Sequence, residues 1–134
     1  MAEEPPGYSI TVAADRIVVR HTGDVSLDDI TASRREFAAL ADERKLSLVL
    51  IDLSHADSCL LTMLDIYDLC ESHPSVLTRW LAVAVVHRPG QVSAENVAFA
   101  ETASRNRGVR LGLFVDLEAA HQWLSNAFQA LPLR

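Results

Sequence analysis

The sequence is poor in the residue patterns that announce a chemistry. It has two cysteines in 134 residues, Cys59 and Cys70, too few for a disulfide framework and without metal-ligand spacing. They read as small buried hydrophobes in a reducing compartment. No apolar run approaches the ~20 residues that cross a bilayer, so no integral membrane segment is expected. The start, Met-Ala-Glu-Glu-Pro-Pro-Gly, lacks the basic and apolar regions of a signal peptide, and the expected location is cytoplasmic. Positive charge is short: 12 Lys and Arg against 18 Asp and Glu leave a net charge of -6. That balance repels phosphate backbones, so nucleic acid is not an expected partner. Also missing are Gly-x-Gly-x-x-Gly, Gly-x-x-x-x-Gly-Lys-Ser, Gly-x-Ser-x-Gly and His-Glu-x-x-His. Dinucleotide, nucleoside triphosphate, hydrolase and metalloprotease readings lose their support with them, and no cofactor is expected.

What is present is an alternation of strand and helix. Leu46 to Leu53, Trp80 to Val86 and Val109 to Val115 are apolar runs of strand length, the pattern of strands buried on both faces. Tyr8 to Val12 and Arg16 to Arg20, separated by Ala13-Ala14-Asp15, predict an antiparallel hairpin. His21 to Asp24 reads as a turn. Ser26 and Asp29 form a capping-box pattern for a first helix, with Leu27, Ile30, Phe37, Leu40 and Ala41 inward. Arg34, near that apolar side, is expected to extend its stem to solvent. A second helix is predicted from Leu60 to Glu71, stopped by Pro74. Its broad apolar arc holds Leu60, Met63, Leu64, Ile66, Tyr67 and Cys70, while Leu61 and Leu69 fall among the acids of the other arc. Ser93 caps a third helix ending near Gly108, and Asp116 a fourth, whose Leu117, Ala120, Leu124, Ala127 and Leu131 repeat at helical spacing. Trp80 and Trp123 read as packing groups. The fold class is therefore α/β, a mixed sheet of about five strands (amino-terminal hairpin plus parallel central strands) covered by about four helices. Residues 1–7 form a flexible amino terminus and 8–131 a single domain.

The densest polar cluster, Asp52, Ser54, His55, Asp57 and Ser58, lies at the exit of the central strand, where open α/β sheets commonly place ligands. Three readings compete there. Ser54, Asp57 and Ser58 satisfy turn and cap hydrogen bonds; or Ser58 or Thr62 is a phosphorylation site that would put about two negative charges beside a helix start; or Asp52, His55 and Asp57 serve an enzyme or a metal, though their spacing matches no specific metal pattern. A weak anion site is proposed at Arg88 and Ser93, from a cation beside helix amides. The other histidines suggest no triad by their spacing.

Three segments carry a resemblance to a known family. These are Thr22 to Asp29, Leu48 to Ser54, and Phe114 to Ala120 with Trp123-Leu124. Spanning Val19 to Leu124, the chain resembles the SpoIIAA-like, or STAS, superfamily, whose fold is related to the lipid-binding Sec14 type. The anti-sigma-antagonist branch carries an Asp-Ser-Ser-Gly motif with a phosphorylated serine. This chain has Asp57-Ser58-Cys59-Leu60-Leu61-Thr62 in that region and no Ser-Ser-Gly, and is more similar to small stand-alone bacterial members, for which an apolar ligand pocket or dimerisation through a helical face is implied. The expected function is a non-enzymatic binding or regulatory module that docks a protein partner, a second copy of itself or a small apolar ligand. Its surface would comprise Ser54, His55, Asp57, Leu61, Asp65, Asp68 and Leu69. The alternative is a phosphorylatable anti-sigma-factor antagonist acting through Ser58 or Thr62.

Overall fold

In the segment Leu48 to Asp52 alternate side chains serve opposite faces of one sheet, and both faces are apolar, so helices must cover the strand on each side. The computed structural model describes residues 7–73, 81–107 and 109–129, with 128 and 129 as backbone only. Strands β1 (Tyr8–Ala13), β2 (Arg16–His21), β4 (Leu48–Asp52), β6 (Ala82–Val86) and β7 (Arg110–Phe114) form a five-stranded sheet in the order β1-β2-β4-β6-β7. β1 pairs antiparallel with β2, and the other neighbours are parallel. The hairpin is as expected; Ala14, in its turn, has φ 58. The helices are α1 (Leu27–Arg44), α2 (Met63–Glu71), α3 (Ala94–Asn106) and α4 (Leu117–Gln129). Each crossover from β2 to β7 steps to the next strand in one direction. Right-handed crossovers therefore send α1, α2 and α3 to one face, leaving α4 for the other.

The two faces are packed differently. Under α1 lie Ile17, Val19, Val49, Val83 and Val109, joined by Phe37, Ala38 and Ala41 of the helix. Ile66 and Cys70 of α2 pack with Ala100 and Ala103 of α3 over Leu111 and Leu113. On the opposite face Leu48, Leu50, Ala82, Ala84 and Val86 meet Ala120, Leu124 and Ala127 of α4. Small residues on both sides of that contact bring the helix close to the sheet. At Gly112 a Cβ would lie 2.9 Å from the Phe114 ring and 3.3 Å from Trp123, so a larger residue would displace the aromatic pair. A fully buried Leu or Ile in either layer contributes about 1.5–3 kcal/mol.

Local signals set the helix ends. Ser26 accepts from Asp29 N while the Asp29 carboxylate accepts from Ser26 N, the predicted capping box of α1. Ser93 Oγ accepts from Asn96 N at α3, and Asp116 Oδ1 from Glu118 N at α4. Two expectations are corrected. Gly23–Val25, within the predicted turn region, is a short strand β3, and Ala56–Cys59, taken as loop, is its parallel partner β5. As a result, α2 begins three residues later than predicted: Thr62 is its N-cap, bonded reciprocally with Asp65. In α4, Ala120, Leu124 and Ala127 are buried and Leu117, in the first turn, is exposed. Pro74, Trp80, Gly108 and Leu131, and residues 1–6, lie outside the described residues.

Candidate functional site

A cavity of about 170 Å³ lies between the sheet and the three helices on its α1 side. Its floor is Ile51, Val83, Val85, Leu111 and Leu113; α1 contributes Ile30 and Phe37, α2 Ile66 and Leu69, and α3 Ala100. The cavity exists because the α3 wall is made of small residues and α2 is short. Ile66 and Cys70 are the buried residues of α2, too few to fill the space over the sheet.

The end of the cavity near the start of β7 is polar. Arg34 is 6% exposed, so its side chain does not reach solvent as the sequence suggested. Its Nη1 donates to Leu69 O at 2.6 Å and to His73 Nδ1 at 3.2 Å, and its Nη2 to Ser72 Oγ at 2.7 Å. Those bonds hold α1 against the end of α2. Since guanidinium only donates, His73 Nδ1 must be the acceptor. The ring proton therefore sits on Nε2 and is donated to Ser104 Oγ at 3.2 Å, and Ser104 Oγ in turn lies 3.5 Å from Cys70 Sγ. Burial, reinforced by the nearby cations Arg34 and Arg107, pushes the His73 pKa down to about 4. Burial lowers that of Arg34 as well. Close by, the fully buried His21 donates from Nε2 to Ser33 Oγ at 3.1 Å, because the Ser33 hydroxyl itself donates to Ile30 O. Burial pushes the His21 pKa down.

The residues singled out in the sequence are divided between the cavity and the carboxyl rim of the sheet. Leu61 and Leu69 were placed on the polar arc of α2, but both turn inward and line the cavity. Conversely Leu60 is 58% and Leu64 68% exposed, with Met63 and Tyr67 beside them. The predicted apolar arc is thus split: Ile66 and Cys70 face inward as expected, while Leu60, Met63, Leu64 and Tyr67 lie outside. Asp65 serves the cap of α2, and Asp68 is exposed. At the rim, the buried Asp52 accepts from Ser54 N and Oγ, with Arg20 at 3.8 Å and His55 at 3.6 Å. Asp57 is exposed, and among the described residues no ion pair or hydrogen bond joins its carboxylate to that cluster. No group of three His, Cys, Asp or Glu able to hold a metal is found among the described residues. Ser58 donates to Asp24 at 2.7 Å. The Arg88 guanidinium donates to the carbonyls of Ser54, Ala56 and Asp57, strapping the β6–α3 loop to the segment after β4. Ser93 is spent on its cap and borders the cavity. Sequence reasoning missed Arg34, His73 and Ser104 as one group. The available signal was a cation on the apolar side of α1.

The element order, the mixed sheet and the division of helices between its faces define the SpoIIAA-like fold, as the sequence motifs suggested. Several solved structures share it, two of which illustrate the range. One is an uncharacterized protein of the DUF3478 family with a SpoIIAA-like fold from Shewanella loihica PV-4, 18% identical, with a TM-score of 0.52 over 92% of this chain and 98% of that one. The other is an anti-sigma factor antagonist from Mycobacterium paratuberculosis, 12% identical, with a TM-score of 0.58 over 88% of this chain and 92% of that one. No protein-family model and no curated protein matches the chain in sequence. No helix among the described residues is long and apolar enough to cross a membrane.

Proposed function

We propose that this chain is a non-enzymatic binding module that takes a small apolar ligand into the cavity between the sheet and α1, α2 and α3. The observation that carries the reading is the cavity of about 170 Å³, lined mainly by aliphatic side chains. Protein interiors are close-packed, so an apolar recess of this size among buried side chains is space that a guest can fill. An apolar cavity of ~150 Å³ admits benzene, which sets the scale of the guest. The test is protein-observed NMR of the full chain against indole, p-cresol and 1-hexanol. Saturable shifts at cavity-lining residues, abolished by Ala100→Leu, are expected. If none of these molecules produces saturable shifts at millimolar concentration, the reading fails.

A second reading is supported by the outer arc of α2 and by the fold shared with an anti-sigma factor antagonist. Leu60, Met63, Leu64 and Tyr67 form an exposed apolar strip, which would dock a protein partner or a second copy of the chain. Phosphate on Thr62 would disturb the cap of α2, and on Ser58 would face Asp24; either would alter that surface. Intact mass after cellular expression, compared with Ser58→Ala and Thr62→Ala, tests the switch. Absence of phosphate under every signalling condition removes it.

A further inference from the structure

Resting on the apolar-ligand reading, we infer that the cavity's guest is a small monocarboxylate, with its hydrocarbon body over Ile51, Val83 and Leu111 and its carboxylate against Arg34. Arg34 is 6% exposed, and its acceptors are the Leu69 carbonyl, the Ser72 hydroxyl and a His73 ring nitrogen, all neutral. Its Nε is buried and has no hydrogen-bond partner among the described residues. No carboxylate among the described residues forms an ion pair with it, and the sequence that follows His73, Pro-Ser-Val-Leu-Thr-Arg-Trp, contains no acid. A charge taken out of water is normally compensated by an opposite one.

His73 contributes no negative charge. Its Nδ1 lone pair is committed to Arg34 and its Nε2 proton to Ser104, so the polar end carries a positive charge and one uncommitted donor, the Arg34 Nε. A bound carboxylate supplies the missing charge through a charge-assisted hydrogen bond, while the remaining lining recognises only hydrocarbon. The volume limits the part of the body held inside to about the size of benzoate or hexanoate.

Isothermal titration of the full chain at pH 7 compares hexanoate with hexanamide and benzoate with benzamide, each pair matched in shape. At least about tenfold tighter binding of the acids is expected. Shifts should appear at Ser33, His73 and Ser104, and Arg34→Met should erase the preference. Should Arg34→Met fail to fold, the wild-type comparison alone decides. Equal binding of acid and amide overturns the carboxylate inference and leaves the apolar reading intact, as does binding of 1-hexanol or indole with neither member of either pair. Failure of all the probes, neutral ones included, overturns both.

Discussion

Replacing Ala100 by Leu and, separately, Ala84 by Leu makes one chemical change on opposite faces of the sheet. Ala84 is fully buried beneath α4, where Leu124 and Ala120 leave no space. Overpacking there costs about 1–3 kcal/mol. Ala100 lines the cavity, so the added carbons enter empty volume. Burying them is worth about 2 kcal/mol, less about 0.5–1 kcal/mol of rotamer entropy, and Leu is nearly as good a helix former as Ala. The net expectation is stabilisation by about 1 kcal/mol. With a urea slope of about 2 kcal/mol/M, the midpoint rises by about 0.5 M for Ala100→Leu and falls by about 0.5–1.5 M for Ala84→Leu. Urea unfolding followed by circular dichroism measures both. The opposite signs are the test, since they need no assumption about the ligand. Destabilisation of Ala100→Leu to the same extent as Ala84→Leu would refute an open cavity at α3.

His73 makes stability depend on pH with a definite sign. Its folded pKa of about 4 lies below the ordinary 6.5, so between those values the unfolded chain binds more protons and stability is lost as pH falls. The loss attributable to this group is up to about 3 kcal/mol, and His21, also shifted down by burial, acts in the same direction. NMR titration should find the His73 ring neutral at pH 5.5, and a midpoint near 6.5 would contradict the burial argument. At the end of α1, Lys45 holds φ 58, a left-handed conformation that favours glycine. Lys45→Gly should raise stability by about 0.5–1 kcal/mol in urea unfolding, and a loss of stability would count against that account.

The parts of the fold legible in the sequence were those written in nearest neighbours. β4 and β6 appeared as apolar runs, and α1, α3 and α4 through Ser26, Ser93 and Asp116. The β3–β5 pair was hidden because Ala-Asp-Ser-Cys has the composition of a turn, and its partner Gly23–Val25 is more than thirty residues away. The inward face of α2 was read correctly at Ile66 and Cys70 but not at Leu61 and Leu69, because both arcs are rich in leucine and periodicity fixes the phase poorly. The site was hidden for a related reason. Arg34 looked like a surface side chain until Leu69, Ser72 and His73 were brought to it by tertiary packing. Asp52 and His55, three residues apart, meet at 3.6 Å as neighbours in sequence can, and the Asp57 carboxylate does not join them.

The ion pair at the last rung of β2 and β4 has a consequence for how the chain finds its alignment. Arg20 sits opposite Asp52 in the register. Alternating side chains penalise a slip by one residue, which would turn the apolar set outward, but a slip by two preserves the faces and leaves that pattern blind. Such a slip would set Val18 against a buried carboxylate and deprive it of its cation. One charge pair thus distinguishes the true alignment from the sliding errors that greasiness alone would tolerate.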